Sequence, residues 1–352
     1  EQKRIGGAGI YYHLSYWGRP HDYLWLTTTQ PGLIYNEMRT AYDHNARKLW
    51  IVNVHDPKVA GYQLELFLDM AWDINCVNES SIETHYLRWL CRQFGDEAGK
   101  LLFPAMKEYS KLCAQRRPEF MGWTQVELDK KKYNRGLSPI QDTEFSIHEI
   151  SEYLGRYASI SATVKKVEDI IPARLKDAYF AAIVYPVLAA DAHARKLLLA
   201  QKARQTGDAV AAEQSLEAYK EIKTLTERYN NDLAGGKWRN LMSMNPRNLP
   251  VFGMPDTAYV HDSLNVSVVT DEYEYISRNA NECLSTSEGC KAIQMLGHSM
   301  NAVSIPKGGS LEYDFDTSTN GDVVMKIALI PTQPNDNGDI RFSVCIDGGE
   351  ER

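Results

Sequence analysis

Two strand-like runs, IYYHLSY at residues 10–16 and KLWIVNV at residues 48–54, decide how this sequence is expected to fold. The first is rich in residues that favour strands, and the second is nearly continuously apolar, as in a strand covered on both faces. Residues 31–46 and 59–72, which follow them, have apolar side chains at helical spacing. Strand, helix, strand and helix in this order predict a parallel sheet or barrel. Because two strands do not form a stable sheet alone, further strands are expected to precede them.

The middle and the end of the chain have other patterns. Residues 81–233 are almost all helical, with apolar stripes typical of packed helices, and Pro186 is expected to kink one long helix over 172–205. Residues after 258 alternate with a period of two, which predicts a truncated antiparallel β-sandwich. The predicted fold class is multidomain α/β + α + β. Its expected parts are an α/β segment at 1–77, a helical bundle at 78–235, a linker at 236–257 and the start of a β-sandwich domain at 258–352.

Composition excludes several classes of protein. Of the 352 residues, 43% are hydrophobic and 24% charged, which allows packed cores and excludes a disordered chain. The net charge of −7, without a basic block, argues against nucleic-acid binding. The longest apolar run, 178–190, contains Pro186 and is too short to cross a membrane. We therefore expect neither a nucleic acid nor a membrane as a partner.

The chain ends bear on whether this is a piece of a longer protein, and the cysteines bear on whether it has a zinc site or a disulfide. It begins with Glu1 and shows no signal segment, so we expect an internal piece of a longer protein; the alternative is a complete protein with unusual ends. None of the six cysteines forms a CxxC pair, which argues against a zinc ribbon. Cys283 and Cys290 flank a short loop and could form a disulfide, although free thiols are favoured.

The strand-like runs carry the main candidate site residues. Tyr11 and His13 share one face of the first strand and could hydrogen-bond sugar hydroxyls or a carboxylate; the alternative is a His and a Tyr satisfied in the core. Asn53 ends the second strand, where barrel enzymes place their sites. A buried amide without partners costs about 1–3 kcal/mol, so Asn53 must pair with something. The alternative is an amide that caps the following turn, HDPK.

The loop WGRPHDYLW at 17–25 gives weaker candidates. Its aromatic rings could stack on sugars, and Arg19 could pair with a carboxylate. The alternative is that the loop packs against a neighbouring domain. The weaker site candidates are Arg19, His21, Trp25 and, in the turn after the second strand, Asp56.

Other catalytic signatures are missing from the sequence. It contains no P-loop, GxGxxG, HExxH or GxSxG motif. The nearby carboxylates are Glu37, Asp56, Asp69 and Asp73, but Glu37 and Asp69 fall on helices, where a solvated face or a salt bridge is the simpler interpretation. No convincing pair for glycoside hydrolysis can be assigned from these residues, and no metal site is predicted.

Five stretches carry a resemblance to a known family. They are GIYYHLSYWGRPHDYLWLTTTQP, KLWIVNVHDPK, FLDMAWD, YSKLCAQRRPEFMGW and GGKWRNLMSMNPRNLP. Together they resemble glycoside hydrolase family 115, the xylan α-(4-O-methyl)-glucuronidases. The resemblance implies that residues 1–77 are the C-terminal part of a (β/α)8 barrel, followed by the bundle and the start of a β-rich domain. It also implies inverting hydrolysis of the α-1,2 bond between (4-O-methyl)glucuronic acid and xylan, without a cofactor.

The resemblance further implies that Tyr11, His13 and Asn53 contact the uronic acid. The family's proposed catalytic carboxylates belong to earlier barrel strands, so this chain alone is expected to be inactive. Glucuronoxylan is the implied substrate, secretion or a periplasmic location is implied, and the full-length protein would be a homodimer. The competing hypothesis is a non-catalytic module for carbohydrate binding or dimerisation.

Overall fold

The computed structural model describes residues 5–16, 23–121, 141–258, 276–316, 324–330 and 341–349. By packing, the chain divides into a large unit, Glu1–Phe315, and a small one, Asp316–Arg352. All the elements that position the candidate site belong to the large unit. The predicted domain boundaries within it stay predictions.

A βαβα unit opens the chain. Strand β1 is Ile10–His13, helix α1 is Pro31–Asp43, strand β2 is Trp50–Asn53 and helix α2 is Gly61–Trp72. Strands β1 and β2 pair in parallel, which confirms the parallel arrangement predicted from the sequence. Proline suits the first turn of α1 because its missing N–H needs no partner there. A closed (β/α)8 barrel stays a prediction.

Helices dominate the middle of the chain, as predicted. They are α3 (Ile82–Phe94), α4 (Asp96–Gln115), α5 (Ile147–Val167), α6 (Tyr185–Thr206) and α7 (Ala209–Asn231). Helix α5 begins at a capping box in which Ser146 and Glu149 satisfy each other's backbone N–H groups. Helix α6 lies at the centre, with buried side chains on nearly every face, and packs on α5 and α7.

The predicted long helix around Pro186 is built from several pieces. A one-turn helix, Lys176–Tyr179, continues into a π-helical turn, Phe180–Val184, which leads into α6. Proline donates no hydrogen bond, and its ring crowds the preceding turn of an α-helix. The wider π turn directly before Pro186 relieves that crowding. The irregularity predicted for Pro186 is therefore present as a π turn.

The segment after α7 is ordered without long elements. Single 3₁₀ turns occur at Leu233–Gly236, Pro246–Asn248 and Pro250–Phe252. Asn230 at the end of α7 holds this segment, because its amide both donates to the carbonyl of Met242 (2.8 Å) and accepts from its N–H (2.9 Å).

Short antiparallel strand pairs occur in the described part of the region predicted to form a sandwich. Strand β3 (Ser285–Thr286) pairs with β6 (Leu311–Glu312), and β4 (Lys291–Gln294) pairs with β5 (Asn301–Ser304). In the described parts of the small unit, 324–330 and 341–349 form no strand, and their alternating apolar side chains are mostly exposed. A β-sandwich is therefore not confirmed. Alternation predicted strands, but paired partners and an apolar face to cover are needed as well.

The β4–β5 pair packs on the βαβα unit. The N–H of Gly32 in α1 donates to the carbonyl of Met295, and the amide of Gln30 bonds both backbone groups of Gly297. A Cβ on Gly32 would lie 2.4 Å from the carbonyl oxygen of Gln294, so only glycine permits this approach. All six cysteines are free, including Cys283 and Cys290. None of the described helices is long and apolar enough to span a membrane.

Candidate functional site

The carboxyl ends of β1 and β2 bring two of the predicted site residues together. The parallel register pairs Ile10 with Trp50 and ends by pairing His13 with Asn53. The Asn53 side-chain nitrogen lies 3.0 Å from Nδ1 of His13. We call these two residues the strand-end pair. The expectation that Asn53 caps its own turn does not hold, because its amide is paired with the neighbouring strand.

This hydrogen bond fixes the protonation pattern of the imidazole. With the amide N–H of Asn53 donating, Nδ1 of His13 accepts, so the neutral ring carries its proton on Nε2. Among the described residues, no other group hydrogen-bonds the His13 ring or the side-chain oxygen of Asn53. The strand-end pair can therefore present one N–H donor and one carbonyl acceptor to a ligand.

Two tyrosines pack edge-on against the imidazole. The Tyr11 ring lies 5.1 Å from the His13 ring, and the Tyr16 ring lies 4.8 Å from it on centroid distance. Tyr11 is 59% exposed, so it is not a core residue. The sequence analysis did not select Tyr16, although it is the third tyrosine of the same YYHLSY run and stands three residues beyond His13. Edge-on rings hold the imidazole in one orientation, which suits a preorganised ligand contact.

The strand-end pair lies on the sheet face that helices leave open. On the opposite face, Tyr12 stacks on Phe67 of α2 at 5.9 Å and Trp50 packs on the same ring at 5.7 Å. Burial, the largest cause, raises the pKa of Tyr12. Since helices cover the outside of a parallel barrel, the face with Tyr11, His13 and Asn53 is the one that an enclosing barrel would turn inward.

Trp25 is not part of this site. It is 3% exposed; its indole N–H donates to the Tyr185 hydroxyl of α6 (3.2 Å), and its ring packs edge-on against His193 and Phe252. The prediction of a saccharide contact at Trp25 is corrected to the alternative, packing against the neighbouring bundle. The cause is a contact distant in the sequence: the backbone N–H groups of Leu24 and Trp25 donate to the buried Glu119 carboxylate, at 2.8 and 3.2 Å.

The other weaker candidates are not brought to the strand-end pair. Arg19 and His21 lie outside the described residues. Asp56 shapes the turn after β2, since its Oδ1 accepts the N–H of Lys58 at 3.0 Å. Next to it, burial is the largest cause that lowers the pKa of His55.

The carboxylates considered from the sequence do not form a catalytic pair. Glu37 is exposed on α1. Asp69 on α2 lies 3.1 Å from Nε2 of His85 on α3, the salt-bridge interpretation given above. Asp73 accepts the N–H of Asn75 and so closes a turn. The described residues also contain no group of three or more His, Cys, Asp and Glu side chains that could hold a metal ion.

A cavity lies at the other end of the strands. It has a volume of about 380 Å³ and is lined by Trp50, the nearly fully exposed Trp72 and Lys48, among others. Lys48 precedes β2 and Trp50 begins it, whereas the strand-end pair stands at the carboxyl ends. The cavity is therefore separate from the candidate site.

Comparison with known proteins finds a family that this part of the chain resembles. Residues 1–120 match the family model described as glycosyl hydrolase family 115. A solved structure of a family GH115 4-O-methyl-α-glucuronidase, BtGH115A, described as having specificity for decorated arabinogalactans, is also similar. Its TM-score is 0.78 at 39% sequence identity, and the match covers 88% of this chain and 39% of that one. The resemblance to glycoside hydrolase family 115 is confirmed.

The matches cover only part of this chain and part of the similar protein. The family 115 match contains both strands and therefore Tyr11, His13, Tyr16 and Asn53. The chain spans 39% of the length of BtGH115A, less than half of that protein. No curated protein matches the chain.

Proposed function

We propose that this chain is part of an inverting family 115 glycoside hydrolase that removes (4-O-methyl)-α-D-glucuronic acid side chains from glucuronoxylan. Its contribution is part of the pocket for the uronic acid. The single observation that carries this proposal is the hydrogen bond between Asn53 and His13 at the carboxyl ends of adjacent parallel strands. This is where enzymes built on parallel strands place their ligand contacts.

The strand-end pair suits an acidic sugar. The Nε2–H of His13 can donate to a carboxylate, and the Asn53 oxygen can accept a sugar hydroxyl, while the exposed Tyr11 hydroxyl can do either. A hydrogen bond from a donor to a carboxylate is stronger than a neutral one, so the imidazole would contribute most to recognition.

We propose that the general acid and base come from residues outside this chain. Inverting hydrolysis needs two carboxyl groups about 6.5–9.5 Å apart, and the carboxylates near the strand-end pair are engaged in turns and helix contacts. The chain by itself should therefore release no methylglucuronic acid from glucuronoxylan. Detectable release, measured by chromatography of the products, would refute this part of the proposal.

Decorated arabinogalactan is a second candidate polymer, favoured by the description of BtGH115A. The two polymers share the uronic acid and differ in the backbone sugar. Rates of methylglucuronic acid release from each polymer by the enzyme that contains this chain would distinguish them.

We also propose that this enzyme is secreted or periplasmic, where such polymers occur, and that it is a homodimer. Light scattering that shows a strict monomer would refute the dimer.

Binding by the chain itself tests the pocket directly. In an NMR titration with methyl 4-O-methyl-α-D-glucuronide, the ring signals of His13 and the side-chain amide signals of Asn53 should shift, and methyl α-D-glucoside should shift them much less. Equal shifts with the two ligands would argue against carboxylate recognition. No shift with either would overturn the assignment of the site.

A further inference from the structure

The turn after β2 lies against the segment that follows α7. Lys58 Nζ lies 4.5 Å from the centre of the Trp238 ring, and Lys237 Nζ lies 4.9 Å from the same ring. Within the described part of the chain, neither ammonium group has a carboxylate within ion-pair distance. Two ammonium groups therefore contact one indole, and one of them belongs to Lys58, five residues after Asn53 in the sequence.

Hydrogen bonds fix both sides of this contact. On the β2 side, Asp56 accepts the N–H of Lys58 through its side chain (3.0 Å) and the N–H of Val59 through its carbonyl (3.1 Å). On the other side, Asp177 accepts the N–H of Ala234 (2.8 Å). Asp56 and Asp177, the carboxylates that act on Lys58, therefore each accept backbone N–H groups, and among the described residues neither forms an ion pair with Lys58 or Lys237.

The backbone before Trp238 is in an unfavourable conformation. Ala234, with φ = 50°, occupies the left-handed region that non-glycine residues rarely adopt, and Gly235 and Gly236 follow it there. Such a conformation is strained and persists where the surroundings enforce it, often at ligand sites. Here it turns the chain so that Lys237 and Trp238 approach the end of β2.

The charges around Lys58 favour an anion. Burial is the largest cause that lowers the pKa of Lys58; Asp56 and Asp177 oppose the shift, and Lys237 adds to it. The partly buried Lys58 ammonium group is stabilised by the ring face of Trp238 and, at longer range, by the charges of Asp56 and Asp177. Nearby, the buried Tyr229 hydroxyl makes no hydrogen bond to any described residue, and after burial the charge of Asp56 is the next cause that raises its pKa. Ammonium groups without an ion-pair partner among the described residues are groups that a carboxylate-bearing sugar would satisfy.

We propose that Lys58, Lys237 and Trp238, which meet at the turn after β2, form a subsite for a sugar carboxylate. The proposal rests on the proposed function, since it takes the ligand to be an acidic saccharide. The lysines bind the carboxylate, and the indole holds their ammonium groups in place. The carboxylate comes either from the uronic acid held by the strand-end pair or from a second uronic acid on the same polymer.

The first test is ligand protection. In the chain, amines are labelled with acetic anhydride at neutral pH with and without methyl 4-O-methyl-α-D-glucuronide, and modified peptides are quantified by mass spectrometry. Lys58 and Lys237 should be protected several-fold by the glucuronide and not by methyl α-D-glucoside, whereas the exposed Lys220 of α7 should not be protected by either. Equal labelling of Lys58 with and without glucuronide would overturn the subsite.

The second test uses variants. Lys58→Met keeps the apolar stem and should weaken glucuronide binding, measured by calorimetry, about tenfold, while Lys58→Arg should restore most of it. Lys220→Met is the matched control and should leave affinity unchanged. If Lys58→Met lowers the melting temperature but not the affinity, the contact with Trp238 is only structural and the proposal is wrong.

The two carboxylate sources give different results. If the same uronic acid is bound, Lys58→Met weakens the monosaccharide glucuronide. If a second uronic acid is bound, Lys58→Met weakens an oligosaccharide that carries two uronic acids more than it weakens the monosaccharide glucuronide. If the proposed function itself is wrong, neither ligand shifts the His13 signals. If only the subsite is wrong, Asn53→Ala abolishes the binding of both ligands and Lys58→Met leaves it unchanged.

Discussion

One histidine stands at the carboxyl end of β1 and another at the centre of the bundle, and their surroundings differ. His13 is half-buried and pairs with the side chain of Asn53. His193 on α6 is 1% exposed, and its Nε2 donates to the carbonyl of Pro118 at 2.9 Å. Burial is the largest cause that lowers the pKa of His193, so this ring is neutral.

Two other buried polar side chains, Lys196 and Glu119, also hydrogen-bond backbone groups, as His193 does. Lys196 donates to the carbonyls of Val251 (2.8 Å) and Gly253 (3.1 Å), and Glu119 accepts from Leu24 and Trp25. Each buried group satisfies the backbone of a segment that has no sheet or long helix of its own. Polar side chains in the bundle therefore hold irregular segments in place, whereas those at the strand ends are held by each other and remain open to a ligand.

The largest effect that this comparison predicts is at Glu119. Glu119→Ala leaves two buried N–H groups without acceptors, and each costs about 1–3 kcal/mol. We expect the free energy of unfolding, measured by urea denaturation, to fall by about 3 kcal/mol. Glu213→Ala, at an exposed position of α7, is the control and should change it by less than about 0.5 kcal/mol. A loss at Glu119 no larger than at Glu213 would contradict the structural role assigned to the bundle carboxylate.

The strand-end pair should respond in the opposite way. In the enzyme that contains this chain, Asn53→Ala should lower kcat/KM for methylglucuronic acid release at least about tenfold, because the imidazole loses the amide that orients it. The melting temperature should stay nearly unchanged, since Asn53 is only half-buried. A large fall in melting temperature with intact specific activity would instead place Asn53 among the structural residues.

Lys196 provides a pH-dependent distinction between the two regions. Burial lowers its pKa from 10.5 to about 7. Between these pH values the unfolded chain binds a proton that the folded chain does not, so the free energy of unfolding rises with pH. Relative to Lys196→Met, the wild type should gain on the order of 1–2 kcal/mol from pH 7 to pH 9. Lys220→Met, on the surface, should show no such change against the wild type, and a flat difference for Lys196 would mean that the buried amine stays charged.

The sequence predicted local elements better than their assembly. The run 10–16, rich in strand-favouring residues, and the apolar run 48–54 predicted two parallel strands with His13 and Asn53 towards their carboxyl ends, and the structure pairs these two residues in register. The same alternation at 324–330 gives no strand, because an isolated run lacks partners to complete its backbone hydrogen bonds. Trp25 was assigned to the wrong environment for a related reason: its surroundings depend on Glu119, 94 residues away, and no local pattern reports such a contact.

The smallest predicted effect comes from making one change, Tyr→Phe, in both regions. The Tyr185 hydroxyl accepts from the indole of Trp25 and shares a hydrogen bond with Thr226 (3.0 Å). Tyr185→Phe should therefore lower the free energy of unfolding by about 1 kcal/mol and leave glucuronide affinity unchanged. Tyr11→Phe, at an exposed ring, should leave stability within about 0.5 kcal/mol and weaken glucuronide binding a few-fold, because only the hydroxyl is lost. Urea denaturation and calorimetry on the two variants measure both quantities. If both variants change stability and neither changes glucuronide affinity, the Tyr11 hydroxyl does not contact the ligand. The distinction between the two regions then holds for His13 and Asn53 but not for Tyr11.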